Sequence, residues 1–289
     1  MERHIFKFGN SSFAFIVPKK WAKKSGLSGG SAVSVSEGDS GELIVYSGIK
    51  TERSGEFMTS HTSTPDFIAR AIGLYYINGF RKLKIYAKNA FEEQQVKTID
   101  KALAEDCPGF EMTKQSSKEI DIEDLNSISD IDIDKIIYRL HSLLQQELEE
   151  LATGNYSTID MTERLVNRFY MLGMHCVNIV QPKSIYTYLG RLNLMEDISD
   201  KLMLLHSGSI KTDLVATLKN FFEASTNART IDDLEDVAAS RKRLGKAILD
   251  KRIDSMERYI YGQLLDRIAS LAEFYIDIES RGLGGLEVE

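Results

Sequence analysis

Two cysteines, Cys107 and Cys176, are all that 289 residues contain, and no CxxC pair or Cys/His cluster accompanies either of them. That scarcity argues against a disulfide framework and a thiolate zinc site, and a reducing compartment is the simpler expectation. Long apolar runs are missing too: none approaches the roughly 18 residues that a membrane span needs. The N-terminus is charged from Glu2 onward and lacks the apolar segment of a signal peptide. A cytoplasmic protein without membrane insertion is therefore expected. Catalytic spacing is absent as well. Cys176 sits in an apolar helical context that favours an inert buried thiol, and no Ser/His/Asp set emerges, so the chain does not read as an enzyme.

What is present is an ordinary globular composition, 43 % apolar and 27 % charged, in a chain long enough for two or three domains. Its charge is unevenly placed. Residues 1 to 24 carry Arg3, Lys7, Lys19, Lys20, Lys23 and Lys24 against Glu2 alone, a local balance of +5 in a chain whose total is −7, which leaves −12 for residues 25 to 289. Such asymmetry points to an anion-binding module on an acidic body, with DNA the commonest large anion, or else to a solvated basic face.

The basic end has its own turn chemistry. Residues 3 to 8 alternate, Gly9-Asn10-Ser11-Ser12 supplies a turn, and Phe13 to Val17 is a short apolar strand ended by Pro18. Pro18 suits the first turn of a helix over Lys19 to Ser25, which Gly26 stops. Ala32 to Ser36 and Glu42 to Tyr46 then flank a loop of turn formers and predict a second hairpin. Two hairpins and one short helix make a poor core in about 46 residues. With no disulfide or metal to help, dimerisation is expected.

That order of a basic strand, GNSS, an apolar strand, PKKW, a helix stopped by Gly-Leu and a second hairpin resembles the SpoVT-AbrB swapped-hairpin DNA-binding domain over residues 2 to 46. The resemblance implies an interlaced dimeric β-barrel whose basic side chains face double-stranded DNA. Arg3, Lys7, Asn10, Ser11, Lys19 and Lys20 inherit that role by position, and the chemistry agrees: Lys and Arg neutralise phosphates while Asn and Ser in a turn offer hydrogen bonds. Trp21 is expected in a core rather than against a base.

The domain at 1–47 is followed by residues 48–64, rich in Ser, Thr and Gly without periodicity, which read as a linker. Residues 65–126 predict a small α/β domain: a helix from Pro65 closed by Asn78-Gly79, a strand over Leu83 to Tyr86, a helix over Glu92 to Leu103, and a terminal strand pair. This segment shows no nucleotide-binding glycine pattern. Its Gly-Phe-Glu-Met-Thr-Lys-Gln stretch resembles the middle of archaeal proteins that join an AbrB-type head to a PhoU-type body.

Beyond residue 134 the apolar spacing predicts six long helices with short joints, 135–151, 160–180, 184–206, 211–225, 231–252 and 253–281, with no Gly or Pro to separate the last two. Asp160-Met-Thr-Glu163-Arg-Leu-Val-Asn167 can be laid over Asp232-Asp-Leu-Glu235-Asp-Val-Ala-Ala239, and Met195-Glu196 to Asp200 over Leu265-Asp266 to Ser270. The offsets of 72 and 70 residues suggest two copies of one three-helix unit, about 134–206 and 208–281. Tandem three-helix bundles with an acidic E-x-x-x-D on the third helix resemble the PhoU family over residues 134 to 281. The expected fold class is thus multidomain α+β: a swapped-hairpin barrel, a small α/β middle segment and all-α PhoU-like tandem bundles.

Glu196 and Asp200, four apart on one helix face, can converge on a hard cation, with Asp160, Glu163 and Asn167 of the preceding helix as further oxygen donors. The PhoU resemblance implies a divalent or iron-type metal ion in this first repeat; an exposed acidic helix face is the plainer alternative. The second repeat, with Ser270 and Ala239, departs from the pattern. His141, His175 and His206 lack ligand spacing and are expected to pack or face solvent, and Met161, Met171, Met174, Met195 and Met203 to fill core. The resemblances together imply a homodimeric DNA-binding regulator of phosphate uptake. An adaptor that contacts a phosphate transporter or sensor kinase without binding DNA is the alternative.

Overall fold

The computed structural model describes residues 4–9, 12–37, 43–47, 53–126, 132–182, 184–206, 210–251 and 253–276. The protein is mixed α and β and mostly helical, with nine helices among the described residues. It divides into two compact units, Met1–Glu52 and Arg53–Glu289.

In the first unit β1 (Ile5–Phe8) pairs antiparallel with β2 (Ser12–Phe15), and β3 (Val33–Glu37) with β4 (Leu43–Ser47). Gly9 turns the first hairpin at a φ of 68°, a conformation that costs glycine nothing. Between the hairpins lies α1 (Lys19–Lys24), entered through Pro18 as expected. The expected strand order is found, but the two hairpins form separate two-stranded sheets and close no barrel among the described residues. Nothing in α1 is buried, and Ile5, Phe8 and Phe13 are 66 %, 73 % and 70 % exposed. One chain does not cover its own apolar side chains here.

The second unit begins earlier than the sequence suggests. Ser54–Thr59, within the stretch read as a linker, forms β5, the edge strand of a four-stranded sheet. Its Ser and Gly residues mask the strand, yet Phe57 packs on the layer's core and Tyr75 Oη donates to the Glu56 carbonyl at 2.8 Å. The sheet order is β5, β6 (Lys82–Ala87), β8 (Glu119–Asp124), β7 (Phe110–Gln115); β5 and β6 are parallel, and β8 is antiparallel to both its neighbours. Leu83, Ile85, Ile120 and Ile122 point to one face. Helix α2 (Pro65–Ile77) covers them with Ile68, Ile72 and Tyr76, and α3 (Glu93–Asp106) with Ile99, Ala102 and Leu103. Alternation puts Lys84, Glu119 and Asp121 on the opposite face, where they pair.

Six helices follow: α4 (Ile133–Thr153), α5 (Ile159–Val180), α6 (Ile185–His206), α7 (Thr212–Thr226), α8 (Ile231–Leu249) and α9 (Ser255–Glu273). Their ends follow local chemistry. Asp132 caps α4 by accepting from the Lys135 N–H, and Gly154 closes it in the left-handed region; Thr230 and Asp233 form a capping box on α8. The junction lacking Gly or Pro is a real break, because Asp254 caps α9 by accepting from the Glu257 N–H at 2.8 Å. Helix α9 ends at Glu273 rather than at 281, and residues 277–289 lie outside the described ones. Within each triplet all three helices touch, so α4–α6 and α7–α9 repeat one packing pattern. The triplets also meet, α4 against α7 and α6 against α9, and all six share one apolar core.

The sheet layer docks on α5. Met171 joins the layer's core, Arg168 Nη1 donates to the Ala104 carbonyl at 2.7 Å, and Asn178 Nδ2 to the Ile77 carbonyl at 2.8 Å. Gly79 makes this close approach possible: its φ is 72°, and a Cβ there would meet the Asn178 backbone at 3.0 Å.

Candidate functional site

The sequence points to two sites, one in each unit. In the first unit Lys7 lies on β1 opposite Phe13, and Lys19 and Lys20 open α1; all three are exposed. None of them is ion-paired among the described residues, and the same is true of Lys23 and Lys24. Arg3, Asn10 and Ser11 lie outside the described residues. Trp21 does not reach a closed core. It is half-buried in an open apolar groove with Phe15, Val17, Leu27, Val33 and Val35.

The second site is the face shared by α5 and α6. Helical periodicity sets Asp160, Glu163, Asn167 and Tyr170 along α5, and Asn193, Glu196 and Asp200 along α6. Asn167 Nδ2 donates to Glu163 Oε1 at 2.5 Å, and Tyr170 Oη to Asn193 Oδ1 at 3.1 Å. The acids share one electrostatic field. Burial, the neighbouring Asp200 and then Asp160 push the Glu163 carboxyl above its ordinary range. Burial followed by Asp200 does the same to Glu196, and burial followed by Asp197 to Asp200.

The five residues predicted as metal ligands thus lie along adjacent helix faces, but they do not close into a ligand shell: among the described residues no group of three or more acidic, His or Cys side chains is placed to hold an ion. Asp160 and Asp200 point to solvent, whereas Glu163, Asn167 and Glu196 are half-buried. Lys201 and Arg267 pair with the adjacent Asp197 and not with Glu196 or Asp200. An all-oxygen donor set with crowded carboxylates matches a hard cation in chemistry. In the second repeat Asp266, the counterpart of Glu196, is taken up by an ion pair with Arg241.

Beneath the site is a residue that the sequence reading missed. Glu147 of α4 is fully buried, with Oε1 accepting from Ser199 Oγ at 2.8 Å and Oε2 without a partner. Burial pushes its carboxyl up to about 8, and Glu163, Glu150 and Asp200 push the same way. The signal was available: Glu147 falls three and four residues after Leu144 and Leu143 and four before Leu151, on the apolar stripe of α4. Its neighbour Glu150 is satisfied instead, with Oε1 accepting from Gln146 Nε2 at 2.8 Å and Thr158 Oγ1 at 2.5 Å.

Cys176 is buried, as its apolar helical context leads one to expect. Cys107 and Cys176 are free and buried, and burial pushes the Cys176 thiol up to about 12. Met195 is fully buried as expected, but Met161 is 58 % exposed, because it falls on the solvent side of α5's first turn. His175, expected to pack, is buried in a polar contact with the sheet layer. No helix among the described residues is long and apolar enough to cross a membrane. Comparisons of the chain with protein-family models, with curated proteins and with solved structures return no match.

Proposed function

We propose that the chain is a homodimeric DNA-binding regulator of phosphate uptake, with the first unit on DNA and the helical bundle as its sensor. The observation that carries this reading is the pairing, in residues 4–47, of unneutralised lysines with apolar strands that one chain leaves exposed. A second copy would cover Phe13, Phe15 and Val33, and would double the set of Lys7, Lys19 and Lys20 on one assembly. The swapped-hairpin barrel and the PhoU-type body rest on the sequence resemblances, as does the phosphate assignment. In this reading Glu163, Glu196 and Asp200 with Asn167 would hold a hard cation in the first repeat. The ion would supply positive charge among carboxylates that otherwise raise one another.

DNA binding measured against salt tests the reading. Three lysines from each of two chains imply a log–log slope of about −5, equivalent to about a thousandfold loss of affinity between roughly 50 and 200 mM salt. Replacing Lys7, Lys19 and Lys20 by Ala should remove most of that slope. Binding that ignores salt, or a triple variant that regulates phosphate uptake unimpaired, would favour the adaptor reading instead.

A further inference from the structure

The sheet layer and the bundle meet at a buried polar contact that neither candidate site uses. His175 of α5 is 1 % exposed. Its ring stacks on Tyr76 of α2 with centroids 4.0 Å apart, and Phe110 of β7 meets it edge-on at 5.7 Å. Both ring nitrogens are engaged: Nδ1 stands 2.7 Å from the Tyr76 carbonyl oxygen, and Nε2 stands 3.2 Å from Asp124 Oδ2 on β8.

A carbonyl oxygen only accepts, so Nδ1 must carry a hydrogen. A carboxylate also only accepts, so the contact between Nε2 and Oδ2 holds only with a second proton between them. The surroundings of Asp124 decide which partner keeps it. Arg81 donates from Nε to the same Oδ2 at 3.0 Å and from Nη2 to the Asp124 carbonyl at 3.1 Å, while the Asn126 N–H donates to Oδ1 at 3.0 Å. Burial favours the neutral acid, but the hydrogen bonds from His175, Asn126 and Arg81 outweigh it and hold the Asp124 carboxyl below the usual range. The proton therefore belongs to His175. The other ionisable groups around the contact are the Tyr76 phenol, which donates to the Pro108 carbonyl, Cys107 after α3, and Cys176 and Arg168 of α5 itself. Both thiols and the phenol are pushed up by burial and stay neutral.

We propose that this contact is a proton-dependent lock between the sheet layer and the helical bundle. As an imidazolium, His175 fastens α5 to α2 through one nitrogen and to β8 through the other. Losing one proton turns a lone pair of Nε2 against the Asp124 carboxylate and breaks the hold on β8. The attachment of the layer to the helix that also carries Asp160, Glu163 and Asn167 then depends on pH. The lock involves no residue of the first unit and stands whether or not the chain binds DNA.

Full-length protein with ¹⁵N-labelled histidine tests it. At about pH 5 both His175 ring nitrogens should resonate as protonated. On raising the pH to about 9 the ring should lose one proton, and the amides of residues 120–124 and 72–76 should exchange about tenfold faster after correction for intrinsic rates, with those of 140–148 unchanged. In Asp124→Asn the side-chain amide can donate to a neutral Nε2, so the same amides should show no pH dependence. A neutral ring at about pH 5, a ring that keeps both protons to about pH 9, or pH-dependent exchange undiminished in Asp124→Asn would each overturn the lock. The wild-type spectrum decides the matter even if the variant folds poorly.

Discussion

Glu147 and Glu150 lie one turn apart on α4 and show how far environment separates two identical side chains. Glu150 collects hydroxyl and amide donors, whereas Glu147 has a single donor, Ser199, and an oxygen with none. Its carboxyl, raised to about 8, ties stability to pH. The unfolded chain releases this proton near an ordinary glutamate value of about 4.3, so between that value and about 8 the folded state binds more protons. Folding stability from this group is therefore complete below about pH 4.3 and is lost as the pH rises through about 8. Glu147→Gln removes the titration while keeping a donor for the unpartnered side. Denaturant unfolding should find it more stable than wild type by a few kcal/mol at about pH 9, with the difference shrinking toward about pH 5. A constant difference across that range would show that Glu147 does not titrate in the folded protein.

Among the elements, α6 packs tightly against the C-terminal end of α9. Gly190 admits the Phe274 ring: a Cβ there would lie 2.4 Å from Cε1 and Cζ, while Arg191 Nε donates to the Phe274 carbonyl at 3.0 Å. Helix α8 is the opposite case, with only Val237 and Ile248 buried along 19 residues and nothing within 4 Å of a Cβ at Gly245. Alanine gains up to about 1 kcal/mol over glycine in a helix, and a forced ring displacement costs about 1–3 kcal/mol. The two substitutions should then have opposite signs. Gly245→Ala should raise the thermal midpoint and Gly190→Ala should lower it, both read by circular dichroism. The helices themselves were legible from apolar spacing, and even the unmarked break before α9 had its cap in the sequence at Asp254. Strand β5 was not legible, because Ser54, Gly55 and Glu56 carry no strand signal. Its formation depends on a parallel partner, β6, whose register begins 28 positions later in the chain.

For the whole molecule, the two units differ in how completely one chain buries its apolar surface. Residues 53–289 hold two closed cores, one under the sheet and one shared by six helices. The described residues of 4–47 hold none that is closed. Expressed alone, residues 53–289 should unfold cooperatively with a midpoint close to that of the full chain. Residues 1–52 alone should show a midpoint that rises with protein concentration, as expected where folding and association are linked. A concentration-independent transition in the short fragment would remove the physical case for a second copy.

What depends on neighbours in the chain can be read without the fold: the hairpin turns, the helix stripes and caps, the basic end and the acidic pairs on α5 and α6. Tertiary structure alone decided what depends on distance and dielectric. It set β5 into a sheet, buried Glu147 without a full set of donors, and gave Asp266 to Arg241. It also brought Asp124 to His175, 51 positions further along the chain, where two acceptors and one ring fix a proton. Local patterns encode which side chains face inward; only the packed chain encodes which of them meet, and in how little water their charges must be satisfied.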